Sequence, residues 1–250
     1  MQTLSLIGIG TGNPDHLTVE AQKALAAADL ILIPRKGPDK ADLADLRWQI
    51  VHSVLGPNAP VVEFDLPRRD PDLPYLTAVD RWHDAIADVW ARTIATAPQA
   101  RRVALLVWGD PSLYDSSLRI AARLTPAPRI HVVPGITALQ VLTAAHGIAI
   151  NTLGAAFTVT TGRRLREDGW PAGVESLAVM LDQGGAFQVL DGAEHDIWWG
   201  AYLGMENQLL RAGRLGDVGA DILATRSAAR AAHGWIMDIY LLRRAPITAG

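Results

Sequence analysis

The feature that most constrains this chain is an alternation. Short runs of aliphatic, β-prone residues are each cut off by glycine or proline and followed by segments with apolar residues at helical spacing. Residues 4–9 form the first such run, punctuated by Gly8, Gly10 and Gly12. Thr18 can then cap a helix, Glu20 falls in its first turn where the helix dipole favours a negative charge, and Ala21, Leu25 and Ala28 share one face. A second run at 30–33 ends at Pro34 and completes a β-α-β unit, which closes with parallel strands and a right-handed crossover. The polar, proline-bearing stretch 35–72 holds one helix near 43–55, and another helix spans 75–97. Residues 103–108 predict a buried strand that Gly109, Asp110 and Pro111 end abruptly, after which Leu113, Ser117, Ile120 and Leu124 lie on one helical face. A strand at 130–133 stops at Pro134 and Gly135, and 136–146 predicts a helix. This order argues for an α/β fold with a doubly wound, mostly parallel sheet.

From Asn151 the texture changes. Strands are expected at 157–161, 177–181, 197–203 and 235–243, several without the long helical crossover that parallel pairing requires. A second α/β domain with a mixed sheet is therefore expected, the two domains covering 1–141 and 142–250.

Composition excludes several functions. No cysteine occurs among the 250 residues, so disulfides, thiolate metal sites and cysteine nucleophiles are ruled out. A HExxH zinc pair is also lacking, and no metal is expected. The formal net charge of −3 argues against a nucleic-acid partner, because such domains carry a basic excess to displace phosphate counterions. No apolar run approaches the roughly 18 residues of a membrane span, and the N-terminus enters a strand without a basic stretch or a cleavage site. A cytoplasmic protein without a membrane partner is expected.

In open α/β sheets ligands lie beyond the carboxyl ends of the strands, where this chain has three sharp loops: GIGTGNPDHLT from Gly8, WGDPSLYD from Trp108 and VPGITAL from Val133. By itself the first loop is a weak dinucleotide signal, because Asn13 stands where that fingerprint wants its third glycine. The usual ribose-binding acid is also displaced, Asp29 preceding the second strand, although Arg35 and Lys36 could mimic a 2′-phosphate site.

Taken together, in this order and spacing, the three loops resemble those of the tetrapyrrole methyltransferase superfamily: a GxGxGxxxxLT turn, a GDP turn and a PGxT turn. Further segments resemble the branch of that family that methylates carbon 1 of precorrin-5 with loss of acetate. They are KGPDKADLADLR, RWHDA, WGDPSLYDSSLRI, TTGRRL, GAYLGMENQ and AAHGWIMDIYLLRR. The resemblance implies a two-domain tetrapyrrole methylase fold with S-adenosylmethionine folded into the cleft between the domains, S-adenosylhomocysteine as product, and a homodimer. An alternative within the superfamily is a methyltransferase for another precorrin, for protein or for ribosomal RNA.

By the same resemblance the cofactor contacts fall on Gly10, Thr11, Trp108, Gly109, Asp110, Leu113, Thr137, Ala138, Leu181, Ala201, Tyr202, Gly234 and Trp235. Thr11 replaces the family's usual proline and Trp108 its usual glycine, so Trp108 is either a cofactor contact or core packing. Asp110 can bind ligand or hold its turn as an Asx cap. Asp110, Tyr114 and Asp115 are the candidate catalytic residues. For a macrocycle rich in carboxylates, Arg163, Arg164 and Arg166 are the first substrate candidates. Arg35, Lys36 and Lys40 come next, then Arg68 and Arg69, solvated surface charge being the alternative for each. His146 and His233 have the pKa range of general bases, yet an isolated histidine is also an ordinary packing residue.

Overall fold

The computed structural model describes residues 2–35 and 41–245. The chain divides into two compact units, Met1–Thr137 and Ala138–Gly250. The division thus falls four residues before the expected 141/142 boundary, and the helix after the third loop opens the second unit.

In the first unit five strands form a sheet: β1 (Thr3–Gly8), β2 (Leu30–Arg35), β3 (Val61–Asp65), β4 (Arg102–Val107) and β5 (Arg129–Val133). Their order is β3-β2-β4-β1-β5, and all four pairings are parallel. Both faces are covered, which is why the strands read as almost unbroken apolar runs. Leu4, Leu6, Leu32 and Leu105 face α3 (Tyr75–Ala95) and α4 (Ser117–Ala121), packing with Ile86, Trp90 and Ile120. Ile7, Ile31, Ile33 and Leu106 face α1 (Val19–Ala26) and α2 (Ala41–Leu55), packing with Leu25, Ile50 and Val51. Thr18 caps α1 as expected, its hydroxyl accepting from the Ala21 amide at 3.0 Å.

Two expectations for this unit need correction. Pro34 does not end β2. Past Leu32 the strand pairs only with β3, so one side is an edge where a residue without an N–H is tolerated. Strand β3 itself was unexpected, since its five residues sit in a proline-bearing stretch and only Phe64 is fully buried.

The second unit carries α5 (Ala138–His146), then β6 (Phe157–Thr161), α6 (Gly162–Asp168), β7 (Ser176–Met180) and β8 (His195–Ala201). It ends with β9 (Leu209–Arg214), α7 (Leu215–His233) and β10 (Asp238–Arg244). The sheet runs β6-β7-β10-β8-β9; β6 and β7 are parallel and every other pairing is antiparallel, giving the expected mixed sheet. One face buries Trp199, Phe187 and Tyr240 against Leu165 of α6 and Ile222 of α7. The other buries Ala178, Ile239 and Leu241 under Leu139 and Leu142 of α5. Because β10 runs against both its neighbours, its start lies beside the ends of β7 and β8, with Asp238 paired to Ala201. No described helix is long and apolar enough to cross a membrane.

Candidate functional site

The three loops of the first unit meet. Adjacent strands β4, β1 and β5 deliver them side by side, and their backbones approach closely at Gly8, Gly109 and Gly135. A Cβ on Gly8 would lie 2.6 Å from the Gly135 nitrogen and 2.8 Å from the Gly109 carbonyl oxygen. One on Gly135 would overlap that same oxygen and lie 2.8 Å from Gly8 backbone atoms. Gly10 and Gly109 also form a bridge, the Gly109 amide donating to the Gly10 carbonyl at 2.7 Å.

Asp110 pins two of these loops together. One carboxylate oxygen accepts from the Gly135 amide at 2.8 Å, and the other accepts from the Ser112 amide at 2.8 Å and from the Ser112 hydroxyl. Burial acts to raise its pKa, but the hydrogen bonds from Ser112 and Gly135 outweigh burial and hold the carboxyl below the ordinary carboxylate range. With both oxygens engaged inside the protein, its geometry is that of a loop tie. Asp115 has a similar local partner, accepting from the Ser117 amide at 2.6 Å at the start of α4. Between them Tyr114 is exposed and adopts a positive φ of 50°.

Thr11 is buried, and its hydroxyl lies 3.1 Å from Nδ1 of His16. Burial lowers the His16 pKa, against the pull of Asp15, and so favours the neutral ring. Trp108 is half-buried against the helix-covered core, with the Arg47 guanidinium 4.9 Å above its ring; its indole N–H is buried without a hydrogen-bond partner. Burial brings the Arg47 pKa down to about 10, opposed by Asp115. Leu113 is half-buried, and the position of a Cβ on Gly109 meets only the Thr137 Cα, at 3.7 Å.

In the second unit the sequence-derived contacts share one end of the sheet. Leu181 follows β7, Ala201 ends β8 with Tyr202 directly after it, and Gly234 and Trp235 precede β10. Tyr202 donates its hydroxyl to the Trp235 carbonyl at 2.5 Å and packs edge-on against the rings of Trp235 and His233. Burial, with the nearby Asp238, raises the Tyr202 pKa, so the phenol stays a donor. Leu181 is exposed at a φ of 52°, and Tyr202 has a φ of 49°. Among the described residues, the non-glycine positions with positive φ are Tyr114, Leu181 and Tyr202, all named from the sequence as site residues. Backbone strain of this kind persists where the surroundings over-determine it and clusters at ligand sites.

The histidines considered as bases have structural partners: Nε2 of His146 faces the Trp199 carbonyl at 3.0 Å, and His233 packs on Tyr202. Most of the candidate arginines are also partnered. Arg163 pairs with Glu167 at 3.4 Å and Arg164 with Asp168 at 3.0 Å along α6, while Arg166 pairs with Asp182 at 2.8 Å. Arg35 pairs with Glu63 at 2.8 Å. Arg69 lies over the Tyr75 ring and Arg68 is exposed. Lys36 and Lys40 lie outside the described residues.

Sequence reasoning missed a buried polar network next to Leu181. Asp182 is held by Arg166, Tyr240 and two backbone amides, and Arg226 joins the Asp182 carbonyl to Asp238, which also accepts from Trp199. The signal available was the DQGG turn directly after a predicted strand, which mirrors the GDP turn.

Comparison with known proteins bears on the family and the fold. The profile of the tetrapyrrole (corrin/porphyrin) methylases matches residues 3–219. The precorrin-6A synthase (deacetylating) of Sinorhizobium sp. is 44% identical over 251 residues, covering 98% of this chain and 96% of that protein. The precorrin-2 C(20)-methyltransferase of Sinorhizobium sp. is 33% identical over 149 residues, covering 54% of this chain and 55% of that protein. A crystal structure of a cobalamin synthesis related protein (CobF) from Corynebacterium diphtheriae superposes with a TM-score of 0.84 at 42% identity, covering 97% of this chain and 98% of that one. The uroporphyrin-III C-methyl transferase from Thermus thermophilus complexed with S-adenosyl homocysteine shares the fold at 18% identity and a TM-score of 0.60, covering 96% and 92%. Fold, loop geometry and family profile agree, and this chain belongs to the tetrapyrrole (corrin/porphyrin) methylases.

Proposed function

We propose that the chain is an S-adenosylmethionine-dependent C-methyltransferase of cobalamin biosynthesis that methylates precorrin-5 at carbon 1 and, with the uptake of one water, releases its acetyl group as acetate, giving precorrin-6A and S-adenosylhomocysteine. The reading is carried by the convergence of the three loops at Gly8, Gly109 and Gly135, tied by Asp110, in a chain 44% identical to a precorrin-6A synthase. The sequence reading places it in the cytoplasm, and the family resemblance adds that it works as a homodimer.

The residues present fit the cofactor. A nucleoside needs close approach to main chain, and half-buried Gly109, where a Cβ would meet only the Thr137 Cα, leaves room for it. Each unit by itself offers an apolar side chain, half-buried Leu113 in the first and exposed Leu181 in the second. S-adenosylmethionine, when bound, supplies a methyl group activated by its sulfonium. The macrocycle brings the nucleophilic carbon, so methyl transfer asks the protein chiefly for alignment, while loss of the acetyl group as acetate takes up one water. Asp110 serves that alignment by fixing the GDP loop on the PG loop, and Tyr114 is the exposed group placed by the same turn. Arg163 and Arg164 can meet substrate carboxylates, because exposed i,i+4 pairs are weak and exchange readily. Arg166 is the less suited of the three, since it neutralises buried Asp182.

Incubation of the purified protein with precorrin-5 and S-adenosylmethionine carrying a labelled methyl group tests the reading by mass spectrometry. The macrocycle is expected to gain one labelled methyl while acetate accumulates in equal amount. A macrocycle left unchanged, or one that gains methyl and keeps its acetyl group, contradicts it.

A further inference from the structure

Leu181 turns the corner at the end of β7 in a conformation that residues with a Cβ disfavour, with a φ of 52°. The residue is 62% exposed, so apolar burial does not hold it there. The restraint comes from the next residue. The Asp182 side chain is 1% exposed, and its two oxygens take four donors. Oδ1 accepts from Arg166 at 2.8 Å and the Gly184 amide at 3.1 Å, and Oδ2 accepts from the Tyr240 hydroxyl at 2.7 Å and the Ala186 amide. Its carbonyl accepts from Arg226 at 2.8 Å, and Arg226 pairs with Asp238 at 2.9 Å. Sheet pairing fixes the other side of Leu181, with Val179 against Tyr240. Room for the carboxylate comes from Gly162 at the start of α6, where a Cβ would lie 2.6 Å from the Asp182 Cβ. That glycine is the one in the TTGRRL segment.

We propose that Asp182 is a positioning residue: by fixing the chain on the far side of the corner it keeps Leu181 left-handed, so that the leucine side chain stands out as an apolar wall for the cofactor. The proposal rests on the reading of Leu181 as a cofactor contact. A carboxylate that only stabilised the second unit would leave the folded protein's affinity for the cofactor alone. One that positions Leu181 makes the two residues act as a unit.

A double-mutant cycle between Leu181→Gly and Asp182→Asn, read by calorimetric titration with S-adenosylhomocysteine, separates these roles. Glycine adopts the left-handed conformation freely and carries no wall to position. Asp182→Asn is expected to weaken binding about tenfold in the wild-type background and less than about twofold in the Leu181→Gly background. Its melting temperature falls in both. Tyr240→Phe, which deletes one donor and keeps the core volume, repeats the cycle if the asparagine variant does not fold. Independent, multiplicative effects on affinity, or full wild-type affinity in both Asp182→Asn and Tyr240→Phe, overturn the proposal while leaving the methyltransferase reading intact. Wild-type protein that takes up no S-adenosylhomocysteine overturns that reading and the proposal with it.

Discussion

Gly135→Ala is expected to destabilise the protein by about 3 kcal/mol, near the upper end for overpacking a close contact, and to remove measurable binding of S-adenosylhomocysteine. The added methyl would overlap the Gly109 carbonyl oxygen and press on the Gly8 backbone, and every atom it meets is main chain at a strand end. No rotamer change relieves such a contact. Relief requires β1, β4 and β5 to spread where they deliver the three loops, and that spreading opens the tie between Asp110 and the Gly135 amide. In a chain of this size the loss corresponds to roughly 6–12 °C in the midpoint of thermal unfolding. Scanning calorimetry followed by titration of the folded variant checks both effects. An alanine variant that melts and binds like the wild type would show that the loops do not need their close approach.

The second large effect is at Asp110. Asp110→Asn keeps the shape of the side chain but replaces one acceptor oxygen with a donor. With the remaining oxygen toward Ser112, the new NH2 faces the Gly135 amide, and neither can accept. An unsatisfied donor of this kind costs about 1–3 kcal/mol, so affinity for S-adenosylhomocysteine is expected to fall about 10- to 100-fold. The pH dependence has a definite sign. Because the folded-state pKa of Asp110 is lowered, its contribution is complete above the unfolded value near 3.9 and is lost as pH falls through the lower folded value. Wild-type stability thus gains nothing further from Asp110 between about pH 5 and 8. The asparagine variant, measured by denaturant unfolding as a function of pH, should lose less stability than the wild type on acidification below about pH 4.

The parts of the fold legible in the sequence are those where local chemistry and tertiary structure agree. Leu4, Leu6 and Ile7 alternate between two buried faces, so the strand reads as a continuous apolar run, and Thr18 signals its helix through the hydroxyl that caps it. The three loops were legible because Gly8 and Gly135 are demanded by backbone contact and Gly109 by its positive φ of 62°. Strand β3 was hidden, since an edge strand with one fully buried residue carries little periodicity. Helix α7 was hidden for a related reason: its run of alanine, glycine and arginine buries only Leu215, Gly219, Ile222 and Ala229, a weak apolar stripe. Pro34 misled because its tolerance depends on which neighbour β2 has lost beyond Leu32. The pairing of Arg166 is likewise tertiary, and nothing near it in sequence announces a partner 16 residues away at Asp182. Asp182 shows the general difficulty. A buried carboxylate is identified by the donors around it, and Tyr240 comes from a strand 58 residues further on.

Central to the account is that the glycine loops at the ends of β1, β4 and β5 hold a sulfonium nucleoside. Calorimetric titration of the wild-type protein with S-adenosylhomocysteine, beside a parallel titration with reduced nicotinamide dinucleotide phosphate, tests this most directly. Saturable heat with one S-adenosylhomocysteine per chain and none with the dinucleotide is the predicted result. Heat with the dinucleotide and none with S-adenosylhomocysteine would contradict it.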